Sequence, residues 1–354
     1  MYFGLSWVTQ HLVFLLALHA YLTAVFSLVG LSTYAGRTPS KRALPLQAPA
    51  RACHQRAGSD DGVLTAIITG ANRGLGFALA ERMSLLGHRV VLTCRGEDEG
   101  RAALNLLRER SLGDRLSFYP LDVANEKSVR DFRHVCVEGY LGGRVDVIFN
   151  NAGVCLEGCT SAVLLTTLAV NFYGALRVMD ACLPSMCQMG KGSVVWVTSG
   201  DGELCNLGSY PRNLLEGAKS RQVSVSPAVD VEAAIEKIIS RYCHANDCEE
   251  EIAFGPTPAY SLSKAAANAV VRTEGDALMT TSGVLLAAVC PGDVLTRMCS
   301  VPLGEERQGL QSQGESGAQV ISPAVAAQAV VKVALQQDVY PGGHFYRDGI
   351  RIPW

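Results

Sequence analysis

In the stretch YSLSK a tyrosine stands four residues ahead of a lysine, Tyr260 and Lys264. On a helix the two side chains share one face, one turn apart. Tyrosine, with an ordinary pKa of about 10, is a poor proton carrier near neutrality. A cation within a few Å moves such a group by ~1–3 units towards its anion. That shift brings proton exchange nearer the working pH, so the pair suits acid–base chemistry. The same spacing also occurs in ordinary helices, and the rest of the chain has to decide between the two readings.

A second candidate is TGANRGLG, Thr69 to Gly76, which follows the apolar run LTAIIT and opens an apolar-periodic segment. Strand, glycine turn and helix in that order form the context of a dinucleotide-binding turn. Gly70 permits the tight turn, Gly74 lets the backbone approach a pyrophosphate, and Gly76 lets helix and sheet pack closely. The helix N-terminus supplies N–H donors and positive potential to phosphates. Where a protein preferring NAD usually carries an acid, at the end of the second strand, this chain has Thr93, Cys94 and Arg95. A guanidinium there suits the extra 2′-phosphate of NADP(H), and Arg73 in the glycine loop adds a second positive charge. The expected cofactor is NADP(H).

These residues need a scaffold, and from Leu64 onwards the pattern is regular. Short apolar runs suited to buried strands (LTAIIT, RVVLT, RLSFYPLDV, VDVIFNNAG, GSVVWVTS, VLLAAVCPG) alternate with helical segments. Among the helices are EGRAALNLLRER, EKSVRDFRHVCVEGY, one long helix over TTLAVNFYGALRVMDACLPSM, and one beginning near Tyr260. A last one starts at SPAVAAQAVVKVAL, with Ser322 as N-cap and Pro323 at the first helical position. Unalternating apolar strands between helices imply a parallel sheet covered on both faces. The fold class is α/β, a Rossmann-type doubly wound parallel sheet.

Bulk properties narrow the function. The chain has 354 residues, 48% hydrophobic, with a formal net charge of -2. That is enough for one large domain or two small ones. It gives no electrostatic footprint for nucleic acid. The 12 cysteines are scattered, without C-x-x-C and without histidines at zinc-ligand spacing, so no metal site is expected. They read as small buried hydrophobes in a reducing compartment.

Residues 1–59 are a different kind of sequence, without a single Asp or Glu. Leu12 to Leu31 carries no formal charge, and about 20 such residues could span a bilayer. A stretch rich in Arg, Lys, Pro, Ala and Ser follows. Three readings compete: a signal anchor with the catalytic domain in the cytosol, at the endoplasmic reticulum; a signal peptide; and a two-part presequence addressing an organelle through the secretory route. The expected organisation is therefore a hydrophobic anchor or targeting presequence plus basic linker over 1–59, and one catalytic domain over 60–354. Membrane association would run through residues 12–31.

The remaining motifs bring out a resemblance. T-G-x-x-x-G-x-G at Thr69 to Gly76, LDV at Leu121 to Val123, NNAG at Asn150 to Gly153, VNFYG with Asn171, VTSG with Ser199, YSLSK with Tyr260 and Lys264, and PGDVLT with Pro291, Gly292 and Thr296 occur in that order. The sequence resembles a short-chain dehydrogenase/reductase from about residue 62 to 354. The resemblance implies hydride transfer between a nicotinamide cofactor and a carbonyl, with Tyr260 as general acid. Lys264 would supply the field and hold the nicotinamide ribose. Ser199 would hydrogen-bond the carbonyl and its developing oxyanion, and Asn171 would anchor a water beside the lysine. Leu75 belongs to the glycine turn, Asp122 and Val123 to the adenine end, and Asn150, Ala152 and Gly153 to cofactor and sheet support. Pro291, Gly292 and Thr296 would fix the nicotinamide half.

Ser199 and Tyr260 lie unusually far apart for that family, which implies a helical insertion over about 203–256. Within it, DVEAAIEKIISRYC puts Val231, Ile235, Ile238 and Tyr242 on one stripe with Ile239 beside them, and Asp230 is the expected N-cap. The arrangement is similar to the monomeric carbonyl reductases, with VVLTCR, VCPGDVLTRM and a C-terminus closing on tryptophan in agreement. It implies a monomer acting on a small carbonyl substrate. Asp293 departs from that branch, which has a bulky aromatic there. Three functions compete: an NADPH-dependent reductase of ketones, aldehydes or quinones; a membrane-associated enzyme of a lipophilic sterol, retinoid or pigment; and a non-catalytic NADP(H)-binding sensor, whose signature would be loss of Tyr260, Lys264 or Ser199.

Overall fold

The computed structural model describes residues 62–110, 114–158, 160–218, 229–243, 252–253, 257–295, 320–336 and 341–354. The expected membrane-associating run 12–31 and the expected cofactor residue Thr296 lie outside the described residues. Eight strands form one sheet in the order β3-β2-β1-β4-β5-β6-β7-β8. They are β1 (Thr65–Thr69), β2 (Arg89–Cys94), β3 (Leu116–Pro120), β4 (Val147–Asn150), β5 (Gly192–Val197), β6 (Val284–Cys290), β7 (His344–Arg347) and β8 (Ile350–Ile352). Neighbours from β3 to β7 pair parallel, and only β8 is antiparallel. The order runs outwards from β1 and β4 in both directions, so their C-terminal ends form the switch point where doubly wound sheets bind ligands.

The helices are α1 (Gly74–Leu85), α2 (Glu97–Glu109), α3 (Glu126–Phe132), α4 (Ser161–Asn171), α5 (Tyr173–Met189), α6 (Ser209–Gly217), α7 (Val229–Cys243), α8 (Pro258–Ser282) and α9 (Pro323–Leu335). Successive strand side chains point to opposite faces. Ile67, Val91, Ile148 and Trp196 join the core beneath α3, α4, α5 and α8. Ala66, Ile68, Val90 and Phe149 join the core beneath α1, α2 and α9. Both faces are therefore dry, which is why the strands read as unbroken apolar runs.

Three local expectations are corrected. The segment over EKSVRDFRHVCVEGY changes after Phe132 into wider π-type turns, Arg133–Tyr140. The long helix is two, α4 and α5, parted at Phe172 (φ -109°, ψ -69°). There the Asn171 side chain is drawn aside to bond the loop after β4. α7 already includes Val229, so Asp230 lies inside its first turn and is not its N-cap.

The α7 stripe is as expected: Val231, Ile235, Ile238 and Tyr242 are buried. Burying each such side chain contributes about 1.5–3 kcal/mol relative to exposure, so the described part of the insertion is packed as part of the core. It lies against α4 and α8, and Leu207 and Ala253 close its base in an antiparallel bridge. The stretch Ser161–Met189 is long and apolar enough to cross a membrane by composition, but half of it is buried inside the domain, as a core helix is.

Candidate active site

Ser199 follows the last residues of β5. Tyr260 and Lys264 occupy the first two turns of α8, with Pro258 pre-set at the helix start. The structure brings them together: Ser199 lies near enough to Tyr260 to oppose the rise in its pKa. The buried Lys264 Nζ donates to Val197 O at 2.9 Å and lies 5.5 Å from the Tyr260 ring centroid. Ser199 Oγ accepts from Asp201 N at 3.2 Å.

The electrostatics differ from the simple expectation for a tyrosine beside a cation. Burial pushes Tyr260 up, the Asp201 charge adds to the rise, and Ser199 opposes it. Lys264 is pushed down to about 8, chiefly by burial. Desolvation disfavours the charged form of both groups. A tyrosine held in its neutral form is a proton donor.

Polar residues spaced by four continue along α8 beyond the pair. Asn268 Nδ2 donates to Gly202 O at 3.0 Å, and Arg272 Nη2 donates to Leu215 O at 2.7 Å at the end of α6. Three residues of one helix ridge therefore grip, in turn, the end of β5, the turn after Ser199 and the end of α6. Sequence reasoning missed Asn268 and Arg272, although their spacing from Lys264 was visible. It also missed Arg347, at the end of β7. The Arg347 guanidinium lies against Gly200 and pairs with Glu203 at 3.5 Å. The signal for this hairpin was Asp348-Gly349, a two-residue loop with both residues at positive φ.

Asn171 is buried and fully used: its side chain bonds Val154 N and O and Ser263 Oγ at 2.8–2.9 Å. It holds the loop after β4 against α8. Asn150 Nδ2 donates to Ala175 O at 3.1 Å, while its Oδ1 is buried without a partner. Asp122 Oδ1 accepts from Ala124 N, and Val123 packs where a Cβ on Gly174 would collide. Thr69 Oγ1 accepts from Asn151 N and Ala152 N, both at 2.9 Å, which ties the segment through Gly153 to the glycine turn. Pro291 and Gly292 (φ +77°) follow β6.

The glycine turn fits a dinucleotide. Gly70 and Gly74 lie at φ +65° and +56°, conformations that favour glycine. A Cβ on Gly76 would sit 2.4 Å from Gly70 O, so α1 approaches the turn as closely as backbone allows. At the start of α1 no side chain caps the helix and no acid lies in its first turn. Its leading N–H groups are thus available to an anion. Arg73 and Arg95 are both exposed beside the turn, and no acid stands at the end of β2.

Comparison with known proteins agrees with this geometry. A family model described as short chain dehydrogenase matches residues 64–210. Rat carbonyl reductase [NADPH] 3 is 32% identical over 241 residues, 66% of this chain and 82% of the rat protein. Arabidopsis thaliana (+)-neomenthol dehydrogenase is 28% identical over 263 residues, 66% of this chain and 83% of the plant protein. Among solved structures, salutaridine reductase from Papaver somniferum superposes with a TM-score of 0.65 at 22% identity, over 80% of this chain and 99% of that one.

Proposed function

The chain belongs to the short-chain dehydrogenase family, oxidoreductases of CH–OH and C=O groups, and from that membership we propose that it is an NADPH-dependent reductase of a ketone, aldehyde or quinone, with Tyr260 as proton donor. The observation that carries the proposal is the gathering of Ser199 beside Tyr260, with the buried Lys264 one turn further along α8 and bonded to the end of β5. The cofactor, when bound, supplies the hydride. The glycine turn from Gly70 to Gly76 would hold its pyrophosphate, and Arg73 and Arg95 would face its 2′-phosphate. Asp122, Val123, Asn150, Ala152 and Gly153 would flank its adenine half, with Lys264, Pro291, Gly292 and Thr296 on its nicotinamide half.

Ser199 orients the substrate carbonyl and stabilises negative charge on its oxygen. Tyr260 delivers the proton to that oxygen. Burial favours this direction, since it keeps the phenol protonated, as reduction requires. Lys264 holds a positive charge below the phenol and favours the tyrosinate left after transfer. A rat relative whose name carries NADPH supports the cofactor choice, as does the absence of an acid after β2. The cover that α7 lays over α4 and α8 supports a monomer.

A membrane-associated enzyme of a lipophilic alcohol or ketone is the second reading, favoured by the uncharged run Leu12 to Leu31. That run would bring the domain to the bilayer, either retained as an anchor or removed as part of a presequence. The test of the main proposal is Tyr260→Phe. Turnover of a panel of ketones, aldehydes and quinones, read by NADPH absorbance, is expected to vanish while NADPH affinity persists. A fully active variant would refute the proton-donor role.

A further inference from the structure

The turn Gly200–Gly202 directly follows Ser199, and its two glycines lie close against neighbouring residues. At Gly200 an added Cβ would lie 2.3 Å from Arg347 Nη2, and at Gly202 it would lie 2.6 Å from the Lys264 carbonyl carbon. Both flanks are therefore filled by neighbours. The turn is also tied at each end: Asn206 Nδ2 donates to Gly200 O at 3.0 Å, and Asn268 Nδ2 to Gly202 O at 3.0 Å. Asp201, the residue between, is exposed, and its N–H reaches Ser199 Oγ. The backbone of Asp201 is thus held on a tied turn, its N–H on the Ser199 hydroxyl, while its side chain is exposed to the mouth.

The charges around it do not cancel. Glu203, two residues on, is paired with Arg347. The Lys264 ammonium is buried against Val197 O; the Asp201 charge acts on it and raises its pKa, but the two form no ion pair. Asp201 pairs with no cation among the described residues. Across the mouth, β5 and β6 are in register at Val197 and Val289, and four residues beyond each stands an aspartate, Asp201 and Asp293; Asp293 is also exposed. The exposed cations Arg73 and Arg95 belong to the opposite half of the sheet, beside β1 and β2. The field of Asp201 reaches the reacting groups: after burial, it is the next influence raising Tyr260.

We propose that Asp201 is a specificity-determining residue, selecting carbonyl substrates that carry a positive charge, such as a protonated or quaternary amine, near the reacting carbonyl, and disfavouring carboxylates. This rests on the reductase reading of the same site. Opposite charges a few Å apart at a partly solvated mouth are worth about a factor of ten in affinity, and like charges cost as much.

The test uses the full chain and three para-substituted acetophenones, bearing trimethylammonium, tert-butyl or carboxylate groups of graded charge. Affinities by calorimetry and kcat/KM with NADPH are measured for each. The cation is expected to exceed the tert-butyl compound by about tenfold and the carboxylate by about a hundredfold. Asp201→Asn should collapse that ratio towards one, and Asp201→Glu should keep it. An unchanged cation-to-carboxylate ratio in Asp201→Asn would overturn the proposal. If none of the three is reduced, the reductase reading is in question, and the affinity ratio still decides the role of Asp201.

Discussion

Replacing Gly202 by alanine tests whether the grip of α8 on the turn after Ser199 matters to catalysis. Gly202 has no positive φ, so alanine meets no backbone strain there. The obstacle is contact. The new Cβ would lie 2.6 Å from the Lys264 carbonyl carbon, 2.8 Å from Lys264 Cβ and 2.9 Å from Ala265 N, where ordinary contact begins at 3.4 Å. Turn and helix must then separate by about 0.8 Å, because two of the three atoms are backbone and cannot rotate aside. Overpacking of this kind costs about 1–3 kcal/mol. A misplacement on the order of 1 Å at reacting groups costs up to ~100-fold in rate. On the proposed function, we expect Gly202→Ala to lower kcat for carbonyl reduction by ~10–100-fold while NADPH affinity, which the proposal assigns mainly to the glycine turn, holds. Urea denaturation, steady-state kinetics and a fluorescence titration with NADPH read the three quantities. Gly217→Ala is the control, since an added Cβ there meets nothing within 4 Å. Wild-type stability and kcat in Gly202→Ala would show that the packing of turn on helix does not position Ser199.

Arg95→Asp should weaken NADPH far more than NADH; an equal loss for both would remove the 2′-phosphate assignment. Lys264, lowered from 10.5 to about 8, makes stability pH-dependent with a definite sign. Between those values the unfolded chain holds a proton that the folded chain has released, so stability rises with pH. Relative to Lys264→Met, the wild type should therefore gain roughly 2–3 kcal/mol between pH 7 and 10; parallel urea curves at the two pH values would contradict a desolvated lysine. The chain lacking residues 1–59 should remain folded and active and should lose any association with vesicles, and failure to fold would move the domain boundary.

What the sequence determined by itself was whatever is encoded within a few residues. The glycine turn at Gly70 to Gly76, the strand runs, the α7 stripe from Val231 to Tyr242 and the N-cap at Ser322 depend on local spacing, and each stands where that spacing put it. Helix ends and breaks were less legible. Asp230 falls inside α7, and the break at Phe172 follows from a bond between Asn171 and Val154, 17 residues away.

Tertiary structure alone decided what gathers around Ser199. Arg347 comes from a hairpin 144 residues beyond its partner Glu203, and Asn268 is given meaning only by the turn it grips. It also reversed the expected direction of Tyr260. A cation four residues away in sequence argues for a lowered pKa, but ionisation depends on how much water both groups lose, and that loss is set by every element packed over them.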